Sequence, residues 1–150
     1  MEFVDKRGRL IRIREFELKD LDEVVDLLKE FDESCLGFNP KDSRDFVEFV
    51  YRRGKMVVAE HSGVVGVLFL IPVDEFTAEL CMFVSEGYRG AGIGSAMLSF
   101  ALSRCKFEKL YAVTDKRNET AIRLFEKFGF VIVKENFEVV MMRPPESDAG

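Results

Sequence analysis

The stretch Tyr88-Arg89-Gly90-Ala91-Gly92-Ile93-Gly94-Ser95 constrains this chain more than any other, because it joins a strand-like run to a helix-like run. Upstream, Leu80 to Val84 is short and apolar; downstream, Ile93, Ala96, Met97, Phe100 and Ala101 recur at helical spacing. Glycine at alternate positions removes the Cβ atoms that would block a ligand, so the three glycines are expected to turn their backbone N–H groups toward one point. A helix N-terminus adds partial positive charge there, and Arg89 adds a full one. Residues Arg89, Gly90, Ala91, Gly92, Ile93, Gly94 and Ser95 are therefore expected to hold a phosphate-rich ligand.

Three glycine-loop chemistries compete for this segment. A nucleoside-triphosphate loop ends in Gly-Lys-Ser/Thr, which is absent. A dinucleotide loop, G-x-G-x-x-G, is approximated by Gly90, Gly92 and small Ser95, with acidic Asp115 after the next strand-like run. That loop belongs after the first strand of a βαβ array, whereas here a hairpin-like antiparallel region precedes it. The third pattern, Arg-x-x-Gly-x-Gly, is met by Arg89, Gly92 and Gly94. It resembles the pyrophosphate loop of the GNAT N-acetyltransferase superfamily.

A second segment carries the same resemblance. Asn118 to Phe130 is similar to the superfamily's other signature, Asn-x-x-Ala followed by an aromatic position and Gly-Phe, here Asn118, Ala121, Phe125, Gly129 and Phe130. Its local physics is coherent: Asn118 can cap a helix whose apolar face is Ala121, Ile122, Phe125 and Phe128, and Gly129 can supply the left-handed residue that ends it. The two signatures occur in the right order with one strand-like run between them. The resemblance is strongest from Glu79 to Phe130.

A chain of 150 residues, 47% apolar, suits one domain with an ordinary core. The net charge of −5 speaks against general nucleic-acid binding. Cys35, Cys81 and Cys105 are widely spaced and form no Cys-x-x-Cys pair, so reduced, mostly buried thiols are expected. The segment from Met1 to Leu10 is charged rather than signal-like, and the apolar run from Val64 to Val73 is too short to span a bilayer, which favours a cytoplasmic protein without membrane association. No His/Cys/Asp cluster has metal-ligand spacing.

Periodicity places a strand at Leu10 to Arg14, a helical face on Leu21, Val24, Val25, Leu28 and Phe31, and a second helix across Ser43 to Arg53 ended by Gly54. Met56 to Ala59 and Val64 to Ile71 flank a hairpin turn at His61-Ser62-Gly63, and Phe76 to Val84 completes a meander. After the glycine loop come a helix to about Arg104, a strand from Leu110 to Thr114, the Asn118 helix, and a closing pair, Val131 to Val133 and Phe137 to Met142. This order suits an α/β fold built on a mixed, mostly antiparallel sheet with helices on both faces, three layers in all, and the tail from Pro144 to Gly150 is expected to fray. The resemblance implies the same fold, with the fourth and fifth strands splayed apart to admit the pantetheine arm of a cofactor.

The resemblance further implies acetyl-CoA as co-substrate and a primary amine of a small molecule or protein as acceptor, the neutral amine attacking the thioester directly. Met82, Phe83 and Val84 would pair with the pantetheine amides like an added strand, a backbone N–H near Phe83 or Val84 would receive the oxyanion, and Asn118 would hydrogen-bond near the same arm. Many superfamily members carry a thiolate-protonating tyrosine where this chain has Phe125, which is expected instead to shape the thioester pocket; Tyr111 is another source of the proton. Glu79, on the strand face it shares with Cys81 and Phe83, is the candidate general base. His61, the sole histidine, is expected to be an exposed turn residue. The acceptor is expected to meet the segments from Phe31 to Lys41 and Lys134 to Glu138. A homodimer is compatible with all of this, and a non-catalytic acetyl-CoA sensor on the same fold is the alternative that Phe125 raises.

Overall fold

The computed structural model describes residues 1–145; residues 146–150, most of the tail expected to fray, lie outside the described residues. The strands are β1 (Glu2–Val4), β2 (Leu10–Glu15), β3 (Lys55–Glu60), β4 (Val64–Pro72), β5 (Thr77–Val84), β6 (Lys109–Asp115), β7 (Val131–Glu135) and β8 (Glu138–Arg143). The helices are α1 (Leu21–Leu28), α2 (Glu33–Leu36), α3 (Ser43–Arg53), α4 (Ile93–Ser103) and α5 (Glu119–Lys127). The strands form one mixed sheet in the order β1-β2-β3-β4-β5-β6-β8-β7. The fold is thus the mixed α/β sheet that the alternation of elements predicts. Strand β1 is additional to the strands the sequence predicts and shifts the count by one, so the expected fourth and fifth strands are β5 and β6.

Two compact units divide the chain, Met1–Phe69 with Met82–Arg104 and Leu70–Cys81 with the residues from Cys105 onward. In the first unit, β1 and β3 flank β2 antiparallel, with Glu2 opposite Arg12 and Ile13 opposite Ala59. Strand β2 alternates cleanly: Ile11 and Ile13 are fully buried while Arg12 is exposed. Met56 to Ala59 and residues 65–69 are buried without alternation, which requires cover on both sheet faces. Helix α3 packs on β3 and on α1, and α4 packs on β2 and β3. Val24, Leu27 and Leu28 form the buried face of α1, which ends before Phe31; Val47 and Val50 do the same for α3. Gly54 caps α3 in an extended conformation, so no left-handed residue is needed there.

An ion cluster ties this unit together. Arg14 on β2 bonds Asp20 just before α1 at 2.7 Å and Glu60 on β3 at 2.9 Å. Burial pushes the Asp20 carboxyl up, but the hydrogen bonds from Arg14 and the Glu17 N–H hold it below the usual carboxylate range.

In the second unit, β5 and β6 pair in parallel, β8 lies antiparallel between β6 and β7, and α5 packs on β6. Leu110, Ala112, Phe130 and Met141 are buried in its core. The side chains of β7 are exposed throughout, as befits a terminal strand of the sheet. Helix α5 forms as its sequence predicts: the Asn118 carboxamide oxygen accepts the Ala121 N–H at 3.1 Å, and Gly129 follows the helix at φ +91°.

Candidate functional site

The glycine loop leaves β5 through a 3-10 turn at Glu86–Tyr88 and enters α4 at Ile93. Gly90 and Gly92 adopt φ values of +71° and +94°, and a Cβ added at either would meet nothing within 4 Å. Side chains rarely adopt such backbone, and the space before it is open, so glycine is needed here for conformation and leaves room for a close ligand. Gly94 differs from the expectation: it lies in the first turn of α4 with ordinary helical backbone, so two left-handed glycines, not three, shape the turn. Gly92 is the N-cap of α4 and no side chain caps it. The opening N–H groups of α4, from Ile93, Gly94 and Ser95, therefore have no intrahelical partner and suit an anion.

Either side of this turn is anchored within the same unit. Glu30, following α1, accepts the Ser85 hydroxyl at 2.8 Å and the Glu86 N–H at 3.0 Å. Arg89 is drawn back along the strand end: its Nε donates to the Val84 carbonyl at 3.0 Å and its guanidinium lies 5.2 Å from the centre of the Phe31 ring. Its charge borders the loop, yet one donor is already engaged. Ala91 and Ile93 are buried and serve packing as much as any ligand.

The strand feeding the loop is paired on one side only beyond its midpoint. The β5–β6 ladder runs from Thr77 opposite Lys109 to Leu80 opposite Ala112, and residues 81–84 of β5 lie outside it. Their N–H and C=O groups on that edge are the ones an added strand would use. Phe83 is 8% exposed and packs edge-on against Phe31 at 5.0 Å and against Phe69 at 6.2 Å; Met82 and Val84, on the opposite face by alternation, are half-buried.

In the second unit, Glu79 is half-buried and stands opposite Tyr111 in the parallel register, which sets the two side chains on one sheet face. This juxtaposition was missed in the sequence, where strand register is not written. Burial and the neighbouring Glu79 charge push the Cys81 thiol up to about 12, so it is no nucleophile near neutrality. Cys35 is exposed, contrary to the expectation of mostly buried thiols, and Cys105 is half-buried. The Asn118 carboxamide oxygen is spent on its helix cap, which leaves its N–H₂ group for another partner. Phe125 is 5% exposed and packs 5.1 Å from Phe130. Hydrogen bonds from Arg117 hold the exposed Asp115 carboxyl down at about 2. His61 is half-buried rather than exposed, its Nδ1 lying 3.0 Å from the Leu10 carbonyl oxygen. No helix of the described residues is long and apolar enough to cross a membrane.

Comparison with known proteins agrees with this fold. The chain is 24% identical over 92 residues to a 5-NmdU N-acetyltransferase of Pseudomonas phage PaMx11, covering 59% of this chain and 66% of that one. It is 39% identical over 56 residues to N-alpha-acetyltransferase 50 of Danio rerio, covering 33% of each. The matches therefore span under two-thirds of these relatives. Among solved structures, a GNAT superfamily phosphinothricin acetyltransferase from Sinorhizobium meliloti in complex with AcCoA superposes with a TM-score of 0.74 at 21% identity, over 90% of this chain and 88% of that one, a likeness of fold. Residues 21–130 match the sequence model of the acetyltransferase (GNAT) family, and the chain belongs to that family.

Proposed function

We propose that the protein transfers an acetyl group from acetyl-CoA to a primary amine of a small molecule or protein. One observation carries this reading: two left-handed glycines facing open space immediately before an uncapped helix of 11 residues. A Cβ-free cradle with unpartnered N–H groups fits a pyrophosphate, and acetyl-CoA would supply the activated thioester. Arg89, Gly90, Ala91, Gly92, Ile93, Gly94 and Ser95 hold the phosphates in this reading. The free edge at Met82, Phe83 and Val84 receives the pantetheine amides, and a backbone N–H there faces the developing oxyanion. Asn118 and Phe125 are assigned to the pantetheine and thioester by family resemblance. Glu79 takes the proton from the incoming ammonium, directly or through water. The protein works in the cytoplasm, and a homodimer is compatible with this chemistry.

The second reading, an acetyl-CoA sensor without turnover, is favoured by one residue. Phe125 has no proton to give a departing thiolate. A thiol pKa of about 8.5 makes that thiolate a tolerable leaving group without an acid, which keeps catalysis as the first reading. Calorimetric titration with acetyl-CoA, CoA and NAD, followed by a thiol-release assay across an amine library, separates the two. We expect acetyl-CoA binding, no NAD binding, and thiol release with at least one amine. Binding without release would establish the sensor, and absence of acetyl-CoA binding would sink both.

A further inference from the structure

The turn between β1 and β2 touches the glycine loop. Asp5 is 5% exposed, and its carboxylate accepts three bonds from its own turn: the N–H groups of Arg7 at 2.9 Å and Arg9 at 2.8 Å, and Arg9 Nε at 2.8 Å. Gly8 at φ +82° closes the turn, with its N–H on the Asp5 carbonyl. The result is a guanidinium held in a fixed plane by a buried carboxylate. From that plane Arg9 Nη1 donates to the Gly87 carbonyl at 3.0 Å, and the guanidinium stacks 3.9 Å from the centre of the Tyr88 ring. The Lys6 N–H donates to the Ala91 carbonyl at 3.3 Å, and Arg7 Nη1 adds a second, exposed bond to the Gly87 carbonyl.

We propose that Arg9 is a positioning residue, which holds Gly87 and Tyr88 so that the N–H groups beyond them, at the start of α4, stand ready for the cofactor's phosphates. The proposal rests on the acetyl-CoA reading above. Its physical basis is preorganisation. A segment with glycine at 87, 90 and 92 has much backbone freedom to lose on binding, and whatever fixes it beforehand removes that cost. Arginine suits the task as lysine does not: only a planar fork can stack on Tyr88, bond Asp5 and reach the Gly87 carbonyl together. Arg9 Nη2 is buried without a hydrogen-bond partner, an arrangement that charge solvation alone would not select.

The test compares Arg9→Ala, Arg9→Lys and Arg7→Ala in the full chain. Acetyl-CoA affinity by calorimetry should fall about tenfold for both Arg9 variants and stay low at high salt, since geometry is not screened. Arg7→Ala, which removes the same charge and an exposed bond to the Gly87 carbonyl but leaves the Arg9 bond and its stack on Tyr88, should lose less than either Arg9 variant at both ionic strengths. Amide hydrogen exchange without ligand should quicken by about tenfold across residues 86–95 in the Arg9 variants, with β2 and β3 unchanged. Full affinity in Arg9→Lys would show that charge, not placement, matters and would overturn the proposal. Uniformly faster exchange in every element would reduce Arg9 to general stability and overturn it as well. If the parent protein fails to bind acetyl-CoA, the functional reading falls, while the exchange arm still decides whether Arg9 fixes the loop.

Discussion

Gly92 and Gly37 form a matched pair that separates backbone strain from ligand contact. Gly92 sits at φ +94°, ψ 3° as the N-cap of α4, and Gly37 at φ +80°, ψ 4° as the C-cap of α2. At both, an added Cβ would find nothing within 4 Å. Alanine at either site therefore meets no protein atom, and its cost in the free protein is conformational: roughly 1–2 kcal/mol for a left-handed L-residue, offset by about 0.4–1 kcal/mol from the narrower unfolded ensemble. Both Gly92→Ala and Gly37→Ala should lose about 1 kcal/mol, or about 2–4 °C in Tm for a chain of this size. Binding should part them. The Gly92 methyl would enter the space that the proposed function assigns to phosphate and weaken acetyl-CoA more than tenfold, about 1.4 kcal/mol, whereas the Gly37 methyl should leave affinity unchanged. Urea unfolding measures the first quantity and calorimetric titration the second. Unaltered acetyl-CoA affinity in a folded Gly92→Ala protein would refute the cradle, and equal losses in both variants would trace the effect to stability.

Further outcomes concern Arg89, the Asp20 cluster and Phe125. Arg89→Ala should weaken acetyl-CoA binding more at low than at high salt, and only modestly, because Nε is already committed to the Val84 carbonyl; titrations at two ionic strengths check this. Asp20→Asn should cost about 1–3 kcal/mol, because Arg14 loses its charged hydrogen bonds to Asp20 but keeps Glu60, as urea unfolding at pH 7 would report. Because the folded pKa values of Asp20 and Glu60 are lowered, their contribution is complete above the unfolded values near about 4 and is lost as pH falls through the lower folded ones. The parent protein should therefore lose stability below about pH 4 more steeply than the Asp20→Asn variant. Phe125→Ala should cost about 3–5 kcal/mol, since the ring is buried against Phe130, while Phe125→Tyr should change kcat little across pH 6 to 10 because a thiolate leaves without much help. A large gain in kcat confined to the tyrosine form would show that protonation limits turnover.

What the sequence made legible is what depends on neighbours along the chain. The loop before α4 and the Asn118 cap of α5 are contained in a few consecutive residues, and their backbone demands dictate residue type directly. Gly90, Gly92 and Gly129 do adopt positive φ, and the carboxamide of Asn118 does accept from Ala121. Gly94 departs from the expectation because spacing alone cannot tell a glycine in a turn from one in the first turn of a helix. Strand β1 escaped notice for a related reason: three residues, Glu2–Val4, are too few for alternation to stand out from a charged segment.

The illegible part is the support behind the loop, and the reason is distance along the chain. Arg9 and Gly87 are 78 residues apart, and Glu30 and Glu86 are 56 apart. No periodicity records such pairs. The only local trace is Asp5 with Gly8 and Arg9, a turn signal that composition reads as part of a charged N-terminus. Yet in the proposal above these contacts hold the cradle. A glycine loop announces that a close approach is available; it also carries the greatest backbone freedom, so by itself it would bind weakly. Glu30 fixes its entry at Ser85 and Glu86, and Arg9 fixes Gly87 and Tyr88. In the proposed function, the residues that would recognise a ligand and the residues that would hold them in place are therefore different sets, and only the first is spelled out in a motif.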